Sequence, residues 1–109
     1  MRALLKKVLT REGFEVEIAA NGREAMTFLQ ETGPFDLLLS DVRMPEKDGE
    51  QLLTEARALQ PSLKVIMITS YGEFEQFNRL KEKGAYGYLT KPFKIPDLLD
   101  IIDRATAAP

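Results

Sequence analysis

The run Leu37-Leu38-Leu39, inside FDLLLS at residues 35–40, leaves no polar side chain to face water. A strand with one wet face alternates apolar and polar residues. A continuous apolar run signals a strand covered on both faces, as in a parallel sheet held between two layers of helices. This run leads directly into Asp41. A buried carboxylate without a partner costs several kcal/mol, so the position needs a reason. Asp41 either caps the next helix or sits at the carboxyl end of a strand and does chemistry.

The rest of the chain repeats the same grammar. Residues 2–11, RALLKKVLTR, put Leu4, Leu5, Val8 and Leu9 on one helical stripe, with Gly13 as its C-cap. FEVEIAA at 14–20 sets Phe14, Val16 and Ile18 against Glu15 and Glu17, which predicts a half-exposed strand. Asn21 with Glu24 forms a capping box for a second helix, ended by Gly33-Pro34. Asp48 is the expected cap of a third helix bearing Leu52, Leu53, Ala56 and Leu59, which stops before Pro61. KVIMITS at 64–70 predicts a buried strand, and Phe74, Phe77 and Leu80 stripe a fourth helix ending at Gly84. YGYLT at 86–90 predicts a short strand, and Pro96 opens a last helix with Leu98, Leu99, Ile102 and Ala105.

Helices alternating with short apolar strands predict an α/β fold, a doubly wound parallel sheet with crossover helices. Such sheets bind ligands at the carboxyl ends of their strands. Asp41, Thr69 and Lys91 each fall at or just after such an end. Individually each has an ordinary alternative: a loop or capping aspartate, a strand-end threonine bonding locally, a solvated lysine. Together, an acid, a hydroxyl and an ammonium on one sheet edge suit phosphoryl chemistry. The carboxylate attacks phosphorus, while the hydroxyl and the ammonium meet the charged phosphoryl oxygens.

Composition narrows the alternatives. The 109 residues suffice for one domain, and no linker, repeat or low-complexity segment interrupts them. Lysines and arginines number 15 against 17 acidic residues, so no basic surplus points to direct nucleic-acid contact. The chain has no cysteine and no histidine, which excludes disulfides, thiolate or histidine catalysis and most zinc sites. No apolar run approaches a membrane span and no signal-peptide core is visible, so a cytoplasmic location without membrane contact is expected.

The segments LLLSDVRMPEKDG, VIMITSYG and KGAYGYLTKPF, with the terminal amphipathic helix, resemble the receiver domain of two-component response regulators. The resemblance extends over nearly the whole chain and implies a flavodoxin-like fold with strand order 2-1-3-4-5. It further implies that Asp41 is the phosphoacceptor, served by a histidine kinase or a histidine phosphotransfer protein. Thr69 would be the switch hydroxyl, Lys91 the phosphate-binding lysine with a cis peptide to Pro92, and Tyr88 the aromatic that rotates on phosphorylation. Met44, Pro45 and Gly49 would shape the loop beside the acceptor. Magnesium would be held by Asp41 and the backbone carbonyl of Arg43. Such a module is no conventional enzyme: it takes a phosphoryl group, hydrolyses it again, and changes its preference for a downstream effector or output domain.

The chain also departs from that pattern. Receivers begin with an apolar strand ending in two acidic residues that help hold the metal, and that strand is central in the sheet. Here the first element reads as a helix, so the sheet is expected to be truncated at its start, with the first, central strand and its acidic pair missing. A start upstream of Met1, direct pairing of 14–20 with 35–40, or a strand-exchanged homodimer would each account for this. No output domain is expected within residues 1–109. At the inward positions of the fourth helix, where receivers carry alanine, this chain has Phe77 and Leu80. Two rival functions remain: a degenerate, non-phosphorylated dimerisation or interaction module, and a phosphatase of the haloacid dehalogenase type. The latter needs a second aspartate where Arg43 stands.

Overall fold

A computed structural model describes residues 2–19, 21–41, 49–70 and 77–107. Among them the helices are α1 (Arg2–Arg11), α2 (Gly22–Glu31), α3 (Gly49–Leu59), α4 (Phe77–Glu82) and α5 (Ile95–Ala107). The strands are β1 (Leu37–Asp41), β2 (Lys64–Ser70) and β3 (Gly87–Lys91). They form one parallel sheet in the order β1-β2-β3, with Leu39 opposite Ile66 and Ile66 opposite Gly87. A helix carries the chain back between successive strands, as parallel pairing requires.

The pleat of β2 divides the core in two. Val65 and Met67 pack with Ala25, Met26 and Leu29 of α2, Leu52, Leu53 and Ala56 of α3, and Leu80 of α4. Ile66 faces the other way, with Leu9 of α1, Leu89 of β3, and Leu98, Ile102 and Ala105 of α5. Val65, Ile66 and Met67 are wholly buried, so the continuous apolar reading of this strand is explained by a helical layer on each face. Leu80 is also wholly buried, so its bulk serves core packing. Glu50 joins α3 to α4 through Arg79 at 2.8 Å and Lys83 at 3.5 Å. These pairs are partly exposed and orient the helices more than they stabilise them.

Local signals act where the sequence places them. The Asn21 side chain accepts the Glu24 backbone N–H at 2.9 Å, capping α2. After α1, Gly13 takes φ 96° and Phe14 N–H closes back on Leu9 O at 3.0 Å. Gly84 ends α4 in the same way, at φ 111°, with Ala85 N–H on Leu80 O at 3.1 Å. At Gly84 a Cβ would also lie 2.8 Å from Arg57 Nε. That guanidinium is committed, because its Nη1 donates to Leu63 O at 2.8 Å and also to Pro61 O. Gly84→Ala is therefore expected to cost about 1–2 kcal/mol, from the strained φ and the displaced arginine. Chemical denaturation checks this, and an unchanged midpoint would contradict it.

The expected strand over 14–20 is corrected. Residues 14–19 carry no ladder, and they pair neither with β1 nor with any other described strand. Their alternation is real: Phe14 and Val16 pack on the α1–α5 side and Ala19 on the α2–α3 side. A strand nevertheless exists only through a hydrogen-bonded neighbour, and nothing described lies close enough to supply one. Asp48 and Phe74 lie outside the described residues, so the helix cap and the first position of the α4 stripe stay with them.

Candidate functional site

Asp41 is the last residue of β1 and is in register with Ile68. Thr69 comes directly after Ile68 and is in register with Thr90, the residue before Lys91. All three therefore reach the carboxyl edge of the sheet on three adjacent strands, each one step further along than the last. With strands about 4.8 Å apart and a rise of about 3.3 Å per residue, neighbouring backbones in this series are roughly 6 Å apart. Asp41 and Lys91 lie roughly 12 Å apart along the diagonal. A phosphoryl group between them is within reach of a lysine side chain. Lys91 is half-buried, and its peptide bond to Pro92 is cis.

Tyr88 lies lower on β3, half-buried and in register with Met67. Gly49 opens α3. Arg43, Met44 and Pro45 lie outside the described residues, so the loop and carbonyl roles assigned to them remain expectations. Among the described residues no group of three histidine, cysteine, aspartate or glutamate side chains could hold a metal ion. Asp41 is one carboxylate, and a magnesium ion takes near-octahedral oxygen coordination.

Sequence reading missed the residue that anchors β1. The Gln60 side chain accepts the Phe35 N–H at 3.0 Å and donates to Phe35 O, copying the bonding of a neighbouring strand. Lys64 N–H then bonds Asp36 O at 3.3 Å, where the β1–β2 ladder begins. This fixes the register that carries Asp41 to the edge beside Thr69. A glutamine between the end of α3 and Pro61 has no local pattern that announces such a role.

Comparison with known proteins agrees with this architecture. The family model described as the response regulator receiver domain matches residues 1–103. The chain is 34% identical over 104 residues to sporulation initiation phosphotransferase F of Bacillus subtilis, covering 95% of this chain and 83% of that protein. It is 36% identical over 108 residues to chemotaxis protein CheY of Halobacterium salinarum, covering 99% and 89%. Against the DNA-binding transcriptional regulator NtrC of a Bradyrhizobium strain it is 35% identical, but spans only 22% of that longer protein. Among solved structures, the receiver domain of NtrX from Brucella abortus superposes with a TM-score of 0.91 at 30% identity, covering 97% of this chain and 89% of that one. Sheet order, two helical layers and the match along almost the whole length lead to one assignment: the chain belongs to the response regulator receiver domain family of two-component signalling.

Proposed function

We propose that Asp41 is the phosphoacceptor of this receiver domain and that Thr69 and Lys91 serve the transfer. The observation that supports this reading is the register: Asp41 and Lys91 end their strands and Thr69 is the last but one of the strand between them, all at one edge of the parallel sheet. A carboxylate oxygen of Asp41 attacks phosphorus as the bond from phosphorus to the donor's imidazole nitrogen breaks. That nitrogen keeps the electron pair, and an aspartyl phosphate forms. The Lys91 ammonium offsets charge on the phosphoryl oxygens, and the Thr69 hydroxyl bonds one of them. Drawing Thr69 toward the phosphoryl group, with Tyr88 following, shifts the population of the face formed by α4, β3 and α5. The donor is a histidine kinase or a histidine phosphotransfer protein, and the receiver of the signal is an effector or output domain. The domain works in a cytoplasmic setting. Among the described residues no helix is long and apolar enough to cross a membrane.

Receivers generally use magnesium, which offsets charge on the incoming group. Within residues 1–109 taken alone, Asp41 and the Arg43 backbone carbonyl are the candidate ligands, so this stretch by itself would bind the ion weakly. Transfer from a small phosphodonor such as acetyl phosphate is therefore expected to be slow, with a rate that changes less than about threefold as magnesium is titrated. Losing about 3 kcal/mol of transition-state stabilisation slows a reaction roughly 10²-fold. Mass spectrometry of the phosphorylated chain over time measures both quantities. A steep magnesium dependence would overturn the weak-site reading while leaving the acceptor assignment standing. Complete failure to take up a phosphoryl group from any donor would instead favour a non-phosphorylated interaction module.

A further inference from the structure

The chain has two asparagines, and only Asn21 is followed by glycine. That pairing exposes an asparagine to attack by its own backbone. The nitrogen of the next residue reaches the side-chain carbon Cγ by closing a five-membered ring, and glycine puts no Cβ beside that nitrogen. Asn78 is followed by Arg79 within α4. There a Cβ crowds the nitrogen, and the helix fixes the backbone on both sides.

The fold holds Asn21 away from this reaction. As the N-cap of α2 it has φ −157° and ψ 175°. In this extended form the Gly22 nitrogen and the Asn21 Cβ are staggered about the Cα–C bond, whereas ring closure needs them nearly eclipsed. Rotation toward the eclipsed form takes Asn21 Oδ1 off the Glu24 N–H, a 2.9 Å bond. It also turns the chain before Asn21 against α2. Neither side moves freely, because Ala25, Met26 and Leu29 anchor α2 in the core and Ala19 packs on the same cluster. The first turn of α2 must open instead, with loss of the bond from Ala25 N–H to Asn21 O at 3.1 Å.

We propose that Asn21–Gly22 is a deamidation site gated by the cap of α2. When the first turn opens, the Gly22 nitrogen gives its proton to water or hydroxide and attacks Cγ. The N–Cγ bond forms, the Cγ–Nδ2 bond breaks, and ammonia leaves behind a succinimide ring. Water then opens the ring at either carbonyl. Cleavage between the nitrogen and Cγ gives aspartate, and cleavage between the nitrogen and the main-chain carbonyl gives isoaspartate. The net reaction consumes one water and releases one ammonia. The two products act on the fold in opposite directions. Aspartate is again a favoured N-cap, and its charge suits the helix N-terminus. Isoaspartate routes the main chain through the former side chain, which adds a methylene and displaces the acceptor from the Glu24 N–H. α2 then loses its cap. Leu38 packs on the same cluster as α2, so the change loosens the layer beneath β1, the strand that ends in Asp41.

Peptide mass mapping of the full chain, incubated at neutral pH in buffer and in concentrated urea, tests the proposal. In urea Asn21 is expected to gain the mass difference between an amide and an acid well before Asn78 does. In buffer the reaction at Asn21 should be about tenfold slower, by the fraction of time the first turn stays closed. Ala25→Gly weakens that turn without touching either reacting residue, so it should speed the reaction in buffer about fivefold and leave the rate in urea unchanged. The same change in α5, Ala105→Gly, should leave both rates unchanged. Equal rates in buffer and urea, or no preference for Asn21 over Asn78 in urea, would overturn the proposal. Equal acceleration by Ala25→Gly and Ala105→Gly would also overturn it, by giving the gate to global unfolding. The isolated isoaspartate form should unfold at lower urea than the parent chain and the aspartate form at the same or higher urea. An isoaspartate form as stable as the parent would remove the cap from the argument.

Discussion

Asp41→Asn is expected to remove phosphoryl uptake altogether while leaving the fold in place. The amide has no anionic oxygen to attack phosphorus, so the loss is of the reaction itself rather than a fraction of its rate. The fold should survive because residue 41 contributes its backbone to the ladder opposite Ile68, and the substitution keeps size and shape. Lys91→Ala should behave differently, with uptake slowed roughly 10²-fold but not abolished, since it removes about 3 kcal/mol of charge stabilisation and no reacting atom. Mass spectrometry after incubation with acetyl phosphate, with thermal unfolding of each variant alongside, separates these cases. One phosphoryl group on the Asp41→Asn variant would show that the acceptor is another residue. A Lys91→Ala variant as fast as the parent would remove the lysine from the site.

The features legible in the sequence are those set by short-range physics. The Asn21 cap with Glu24, the glycine endings at Gly13 and Gly84, and the apolar run at 64–70 all act within a turn or a strand of where they are written. The strand-end placement of Asp41, Thr69 and Lys91 was legible in the same sense, since each ends or directly succeeds an apolar run that had to be a strand. Segment 14–19 shows the limit. Its alternation reports which side chains prefer apolar surroundings, and the structure honours that with Phe14 and Val16 on one side and Ala19 on the other. Alternation says nothing about whether a neighbour exists to bond its backbone. Gln60 shows the same limit from the other direction, because its two bonds to Phe35 span 25 positions and leave no trace in either local pattern.

The largest stability effect is expected at Leu53, and its comparison with Leu39 reports on the open edge of β1. Leu53 is 0% exposed on α3 and packs among Met26, Leu29, Val65 and Met67. Leu53→Ala removes apolar contacts and leaves a cavity that rigid neighbours on α2 and β2 cannot fill, for a cost of about 3–4 kcal/mol. A domain of this size has roughly 5–15 kcal/mol in all, and one with a half-covered strand belongs near the low end. With a urea slope of about 1.5 kcal/mol/M, the midpoint should fall by roughly 2 M. Leu39 carries the same side chain one strand from the centre of the sheet, but it is only half-buried. Water already reaches part of it, so Leu39→Ala should cost only about 1–2 kcal/mol. Urea unfolding of both variants measures the difference directly. If Leu39→Ala proved as costly as Leu53→Ala, Leu39 would be fully covered in solution, and the half-burial of β1 seen here would not describe the dissolved domain.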